Sequence, residues 1–491
     1  MRVVVSSANV CDVFCRSEGM FVIKGRLMIG INLYICLLYK QTNITMKHKS
    51  IITTAVSALL MSCATVTEQT PVATAPSEWA DNSVIYEVNI RQYTPEGTFN
   101  AFVEHLPRLK ELGVDVLWIM PIHPISEKNK KGSLGSYYAV ADYKGVNPAF
   151  GTVADFNNLV EAAHSKGMKV IIDWVANHSG CDNRWTVEHP EYYTKDSTGN
   201  FVSPYDWTDT YELDYSNPDL RKAMIDAMTY WVSELDIDGF RCDVAYEVPT
   251  DFWNEARAAL DAVKPVFMLA EAEHPELNEK AFDMSYNWPL KNLMAEIASG
   301  KTTSPSYALD SLFTLQQTKF PDSTLFMNHI TNHDLNSWEG TEFDRLKGGV
   351  KAFAVLTYTV PGMPLLYTAQ ETGLNRAIQF FEKDPVESWE KNEWFGFYSA
   401  LNNLKRTNVA LDSYGKWSDV KRFEADNKAL YAYQREAADN GVFVIMNLSD
   451  ESVPVALTEM PALDGYTNVF APQDNQLPET LQPWGYCVMV K

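Results

Sequence analysis

The sequence is poor in the features that would announce a special class of protein. Its 491 residues include only seven cysteines, and four of them (Cys11, Cys15, Cys36 and Cys63) fall within the first 63 positions. The remaining three, Cys181, Cys242 and Cys487, are far apart in the chain. Scattered thiols of this kind exclude a disulfide framework and a spaced zinc site. Nothing resembles a cluster of Lys and Arg, and 41 basic residues face 63 acidic ones for a formal net charge of −22. That argues against nucleic acid as a partner. What is present is ordinary for a soluble globular chain: 46% hydrophobic and 21% charged residues, with enough length for roughly two or three domains.

The N-terminal region reads as targeting information. Residues 46–63, "MKHKSIITTAVSALLMSC", place Lys47 and Lys49 before a short apolar run from Ile51 to Met61, followed by Cys63. The run is too short to remain as a bilayer-spanning helix. The arrangement resembles a bacterial lipoprotein signal, in which Cys63 would carry the lipid. Residues 1–45 then read as an upstream extension or a mis-assigned start, 46–62 as the signal, and 63–80 as a Thr/Ala/Pro-rich tether. The implied location is the cell envelope, periplasm or outer membrane, with a lipid as the only membrane attachment. Without residues 1–62, 34 basic residues face 61 acidic ones, a balance of −27. Such an acidic body suits an exported domain acting on a neutral substrate.

After the tether, apolar strands alternate with amphipathic helices. "SVIYEVNI", "VDVLWIM", "MKVIIDWV", "DGFRCDV", "VFMLAEAE", "FDMSYNW", "LFMNHITNHD" and "MPLLYTAQE" read as eight strands. Residues 99–112 and 391–406 read as helices. Between strands two and three, Phe156, Leu159, Val160 and Ala163 form one apolar stripe, with Thr152 and Asp155 as a capping box and Gly167 as the stop. Residues 178–217 have no clear period and read as an excursion after strand three. Order returns with a helix at Pro218, whose buried face is Met224, Ala227, Met228 and Trp231. About eight strand–helix units over residues 81–410 predict a (β/α)8 TIM barrel. Short alternating strands over 411–491, such as "ALYAYQR" and "GVFVIMNLS", predict a C-terminal antiparallel β-sandwich.

Polar residues gather at the C-terminal ends of the strands: Asp173 and His178, Arg241 and Asp243, Glu271, His333 and Asp334. Arg241 and Asp243 are two apart, so they share one face of a strand. In a barrel these ends converge on one cleft. One carboxylate at a strand end is usually a cap or a loop anchor, but several together resist separate structural explanations.

From about Tyr86 onward the chain resembles the α-amylase superfamily of glycoside hydrolases. "DWVANH" (173–178), "GFRCD" (239–243), "LAEAE" (269–273) and "TNHD" (331–334) match that family's motifs in order and spacing. "GVDVLWIMPI", "GMPLLYTAQE" and "YYAVADY" with "VNPAFGT" match flanking ones. The resemblance implies Asp243 as nucleophile, Glu271 as general acid and base, and Asp334 as a third carboxylate gripping sugar hydroxyls. It implies that Tyr138 stacks under the reacting ring, that His178 and His333 bind the sugar, and that Asp173 organises Arg241. Arg241 should hold Asp243 ionised by lowering its pKa. Glu273, two residues beyond Glu271, is a candidate neighbouring charge to raise the acid's pKa. The aromatic content of 12% suits a cleft that stacks sugar rings.

Two departures bear on specificity. Tyr246 and Glu247 stand where typical α-amylases carry Lys-His, closer to the cyclodextrin- and pullulan-degrading branch. "YELDYSNP" alters the excursion that in the family supplies calcium ligands, leaving Asn177 as a candidate calcium ligand and the chemistry itself without a required cofactor. The expected substrate is an α-1,4-glucan or maltooligosaccharide. Cyclomaltodextrinase, neopullulanase, α-glucosidase and transglycosylase activities stay open alongside it. A non-catalytic glucan-binding lipoprotein is the contrasting class. Endo against exo action and oligomeric state are not legible in the sequence.

Overall fold

The structure, a computed structural model, describes residues 78–491. The lipidation candidate Cys63, the signal and most of the tether lie outside the described residues. The tether reading runs slightly too far. Glu78–Ala80 form a short helical turn, in which Ala80 is buried and the Trp79 ring meets Phe267 at 5.1 Å.

Among the described residues ten strands precede the C-terminal sheet: β1 Ile85–Val88, β2 Val116–Ile119, β3 Lys169–Trp174, β4 His178–Gly180, β5 Thr210–Glu212, β6 Gly239–Cys242, β7 Phe267–Ala270, β8 Met284–Tyr286, β9 Leu325–Asn328 and β10 Met363–Tyr367. Eight of these close into a barrel in the order β1-β10-β9-β8-β7-β6-β3-β2, every pair parallel. The other two, β4 and β5, pair antiparallel and form the ordered part of the excursion. The expected (β/α)8 barrel is therefore the observed one.

The period-two alternation of a strand decides what fills the barrel and what faces the helices. Ile85, Val116, Trp118, Ile171, Phe267, Leu269, Met284, Tyr286, Leu325, Met327, Met363 and Leu365 form one buried cluster. Their neighbours in sequence, including Tyr86, Leu117, Val170, Ile172, Met268 and Leu366, belong to a second cluster with the helical residues. The first set lines the interior, so the barrel is a packed core and not a channel. Gly239 is required where β6 meets β7: a Cβ there would lie 1.9 Å from the Phe267 carbonyl oxygen.

The helices follow their sequence signals. Val153–Ser165 carries the expected capping box, Thr152 with Asp155, and Pro218–Leu235 is capped by Asn217. A cap is worth about 1 kcal/mol, whereas each fully buried Phe or Leu contributes about 1.5–3 kcal/mol. The buried face of Phe156, Leu159, Val160 and Ala163 therefore dominates that helix's stability, and the cap fixes where it starts. The expected single helix over 99–112 is instead two, Phe99–Val103 and Leu106–Leu112.

In the C-terminal region Lys421–Phe423 (β11), Leu430–Ala437 (β12) and Asn440–Asn447 (β13) are followed by Val453–Pro454 (β14), Thr467–Asn468 (β15), Thr480–Leu481 (β16) and Tyr486–Val490 (β17). Five of them form an antiparallel sheet ordered β11-β12-β13-β17-β15, and β14 pairs with β16. Alternation again sorts the faces. Tyr431, Tyr433, Val442, Val444, Met446 and Val488 join the cluster shared with the barrel helices. Ala432, Phe443, Ile445, Cys487 and Met489 pack with Val453 and Leu481 of the small ribbon. The three cysteines of the described residues are free and buried. No described helix is long and apolar enough to cross a membrane.

Candidate active site

Moving up the barrel interior, the same alternation turns from apolar to charged. Two residues beyond Ile85 is Glu87, beyond Ile171 is Asp173, beyond Gly239 is Arg241, and beyond Leu269 is Glu271. Asp173 and Arg241 are register partners across β3 and β6. All four project inward at the C-terminal end, where barrel strands converge.

Arg241 is fully buried and anchors this layer. Its Nη1 lies 2.9 Å from Asp173 Oδ1 and 2.8 Å from Asp243 Oδ1. Its Nε donates to the Tyr286 hydroxyl at 3.1 Å. Its Nη2 lies 2.8 Å from Glu271 Oε2, a charge contact outside hydrogen-bond geometry. One guanidinium thus touches three carboxylates. A second tie comes from the backbone: the Val244 N–H donates to Glu271 Oε2 at 2.9 Å. Val244 holds φ at +36°, a left-handed conformation unfavourable for a β-branched residue. The strained turn after Asp243 thus aims an N–H at the carboxylate of the next strand.

Asp173 is the most heavily bonded of the site carboxylates, with three hydrogen bonds. It accepts from Trp118 Nε1 at 3.2 Å and from the Tyr138 hydroxyl at 3.0 Å, in addition to Arg241. Tyr138 also meets His333 Nε2 at 2.7 Å, and the two rings stack at 5.5 Å. His333 Nδ1 is bound by Glu87 Oε1, and Asp334 Oδ2 is 3.3 Å from His333 Nε2. Asp334 is the most open of the acids, with 36% of its side chain exposed.

Burial pushes the Glu271 carboxyl up; Arg241 pulls it back and Asp243 pushes it further up, for a net rise. That direction suits an acid that must hold its proton. Asp243 also moves up on balance, because burial outweighs the pull of Arg241. The expected lowering by Arg241 is therefore one contribution and not the net direction. Glu273 is not among the principal charges acting on Glu271; Asp243 supplies the neighbouring negative charge expected of it. His333 is raised to about 9, Asp334 and Glu87 overcoming its burial, so it carries a proton at neutral pH. His178 is pushed down to about 4 by burial and is neutral there.

The structure thus brings together Asp173, Arg241, Asp243, Glu271, His333, Asp334 and Tyr138. The His178 ring lies 5.2 Å from Trp207, and its Nδ1 is 3.4 Å from Asn177. No hydrogen bond among the described residues ties it to the carboxylates. Sequence reasoning missed Glu87, Trp118 and Tyr286. Glu87 did leave a signal, a charge inside the apolar strand "IYEV".

Asn177 lines a cavity of about 480 Å³ with Glu212, Asp214 and Glu247. Each of these carboxylates accepts from another residue of the same lining: Glu212 from Thr194, Asp214 from the Ser216 N–H and Glu247 from Tyr205. Among the described residues no group of three or more His, Cys, Asp or Glu is arranged to hold a metal ion.

Comparison with known proteins bears on what this arrangement is. The alpha-amylase catalytic-domain family model matches residues 74–212 and 191–395. Alpha-amylase MalA of Haloarcula japonica is 28% identical over 398 residues, covering 77% of this chain but only 57% of that protein. A cyclomaltodextrinase of Thermoanaerobacter pseudethanolicus is 25% identical over 435 residues, 78% of this chain and 73% of its own. The crystal structure of an alpha-amylase from Lactobacillus plantarum superposes with a TM-score of 0.73 at 29% identity, covering 84% of this chain and 99% of that one. That of the maltogenic alpha-amylase AmyB from Thermotoga neapolitana also gives 0.73 at 29% identity, covering 84% and 96%.

Proposed function

The chain belongs to the α-amylase family of glycoside hydrolases, and from that premise we propose that it cleaves α-1,4-glucosidic bonds of starch-like glucans or maltooligosaccharides with retention of configuration. The observation that carries this reading is the single guanidinium of Arg241 in contact with both Asp243 and Glu271 at 2.8 Å. Two acids held on one planar fork stand at one place in the cleft, and retention is taken from the family's chemistry.

In the proposed cycle Asp243 attacks the anomeric carbon. Glu271 gives its proton to the departing glycosidic oxygen, and the sugar becomes esterified to Asp243. Glu271, now ionised, takes a proton from water, which attacks the same carbon and releases the sugar with Asp243 restored. Tyr138 lies under the reacting ring. Asp334, the most exposed acid, accepts from sugar hydroxyls, and protonated His333 holds the Tyr138 hydroxyl through its Nε2–H. Asp173 and Glu87 do not touch substrate; they position Arg241 and His333. Product analysis on amylose, with the anomer followed by NMR, tests the assignment: the α-anomer must appear first. Initial release of the β-anomer would overturn retention.

A second reading has two observations in its favour. Tyr246 and Glu247 replace the usual Lys-His, and the relatives include a cyclomaltodextrinase. Cyclomaltodextrin or pullulan is then the preferred substrate, and the same product analysis on those glucans separates the two. The intact set of Asp243, Glu271 and Asp334 favours an enzyme over a glucan-binding lipoprotein without turnover. We further propose export to the cell envelope through lipidation at Cys63. Cys63→Ala should move the protein from the membrane to the soluble fraction with its kcat unchanged, and retention in the membrane fraction would refute the anchor.

A further inference from the structure

One exposed aromatic surface takes no part in the chemistry above. Trp338 lies in the short helical turn Leu335–Glu339 that follows Asp334, and it is 59% exposed. Its ring is 5.3 Å from Phe380 and 5.9 Å from Phe381. Phe380 in turn lies nearly parallel to Tyr138, at 6.3 Å and 11°. Aromatic faces therefore run without a break from Tyr138, under the proposed reacting ring, out to Trp338 in solvent.

This surface is built from separate loops that are tied together. Asn336 accepts from the Ile378 N–H at 2.8 Å and donates to the Arg376 carbonyl at 3.2 Å. Arg91 donates to the Phe380 carbonyl at 3.0 Å, and the Leu134 N–H donates to that of Phe381 at 3.0 Å. The segments after β1, β2, β9 and β10 thus hold the rings before any ligand arrives, which lowers the ordering cost of binding. An exposed Trp fixed in this way offers a flat apolar face to the C–H face of a pyranose, as aromatic rings do to other flat partners.

We infer that Phe380 and Trp338 stack the glucosyl units next to the one over Tyr138, giving the cleft subsites for an extended α-glucan. This rests on the function proposed above. The occupant is the substrate itself, because the surface is continuous with the reacting position. Trp338 is then a specificity-determining residue for chain length.

The test uses the full chain with maltotriose and maltoheptaose. Trp338→Ala should raise KM for maltoheptaose about tenfold, the scale of one lost stacking contact, and for maltotriose by much less. Trp338→Phe should recover most of the loss. If KM rises equally for both lengths, or for neither, the inference is overturned. Should Trp338→Ala lower the melting temperature, maltoheptaose binding to Asp243→Asn with and without Trp338→Phe or Trp338→Leu provides the readout, and equal affinity across the three proteins overturns it as well. A parent enzyme that neither binds nor hydrolyses either oligosaccharide would instead sink the functional reading on which this one stands.

Discussion

Arg241 and Arg257 are both buried, and each meets more than one carboxylate, yet they belong to different kinds of region. Arg257, on the helix Thr250–Asp261 outside the barrel, binds Asp261 at 2.7 Å and Asp283 at 3.0 Å. It also donates to the Ala281 carbonyl. Its acids are occupied a second time by backbone, Asp283 by the Met268 N–H at 2.8 Å and Asp261 by the Val266 N–H at 3.2 Å. That cluster staples the edges of β7 and β8 to a helix. At the barrel mouth, by contrast, Asp243 has only the Arg241 hydrogen bond among the described residues, and Glu271 only the Val244 N–H beside its charge contact. The difference is acceptor capacity. A carboxylate can accept about four hydrogen bonds, and the mouth leaves much of that capacity facing a cleft. A buried ion cluster does not by itself mark function; one with unspent acceptors at a strand's C-terminal end does.

The sharpest way to break this contrast is to remove the open acids. Asp243→Asn and Glu271→Gln should each lower kcat by at least about 10³-fold while the melting temperature stays close to that of the parent. Substantial residual hydrolysis in either would equate the two clusters. Arg257→Met should do the reverse. It leaves two carboxylates without their cation, so stability should fall by about 3 kcal/mol, as for other broken buried pairs, with kcat of the folded enzyme unchanged. Denaturant melts and initial rates, measured side by side, decide.

A smaller effect concerns pH. His123 and His178 are held at about 4 and His329 at about 3 by burial, against 6.5 when free. The unfolded chain then binds protons that the native one refuses, so stability is lost as pH falls from 6.5 toward 4. His333, raised to about 9, works oppositely: its contribution is full below 6.5 and disappears as pH rises through 9. Asp173 and Glu342, raised to about 7, and Asp283, raised to about 6, oppose the neutral histidines below pH 7, so His333 is read by difference. The stability lost in His333→Gln should be largest below pH 6.5 and vanish by pH 9, and a loss independent of pH would contradict the assignment. The smallest effect belongs to Glu273→Gln. Because Asp243 is the negative charge beside Glu271, the high-pH limb of kcat/KM, where the acid loses its proton, should not move. A shift of that limb would restore Glu273 to the role first expected of it.

Much of this was legible in the sequence, for reasons that can be named. Arg241 and Asp243 share a face because strands alternate, and Asp173 and Glu271 sit two residues past Ile171 and Leu269 for the same reason. Glu87 and Tyr286 obey that alternation equally, but each reads in isolation as one polar residue in an apolar run. Only the register of a closed barrel brings Glu87 under His333. The net rise of Asp243 was also out of reach, since the sequence shows the adjacent cation and not the depth of burial that opposes it.

The sequence by itself determined the strands, their inward and outward faces and the helix caps, because each depends on residues within one turn or one pleat. The tertiary structure alone decided which inward faces meet, how many acceptors the mouth acids keep and where Trp338 points. Those depend on the closure of eight strands into one ring, which sets neighbours across the barrel that no local period encodes.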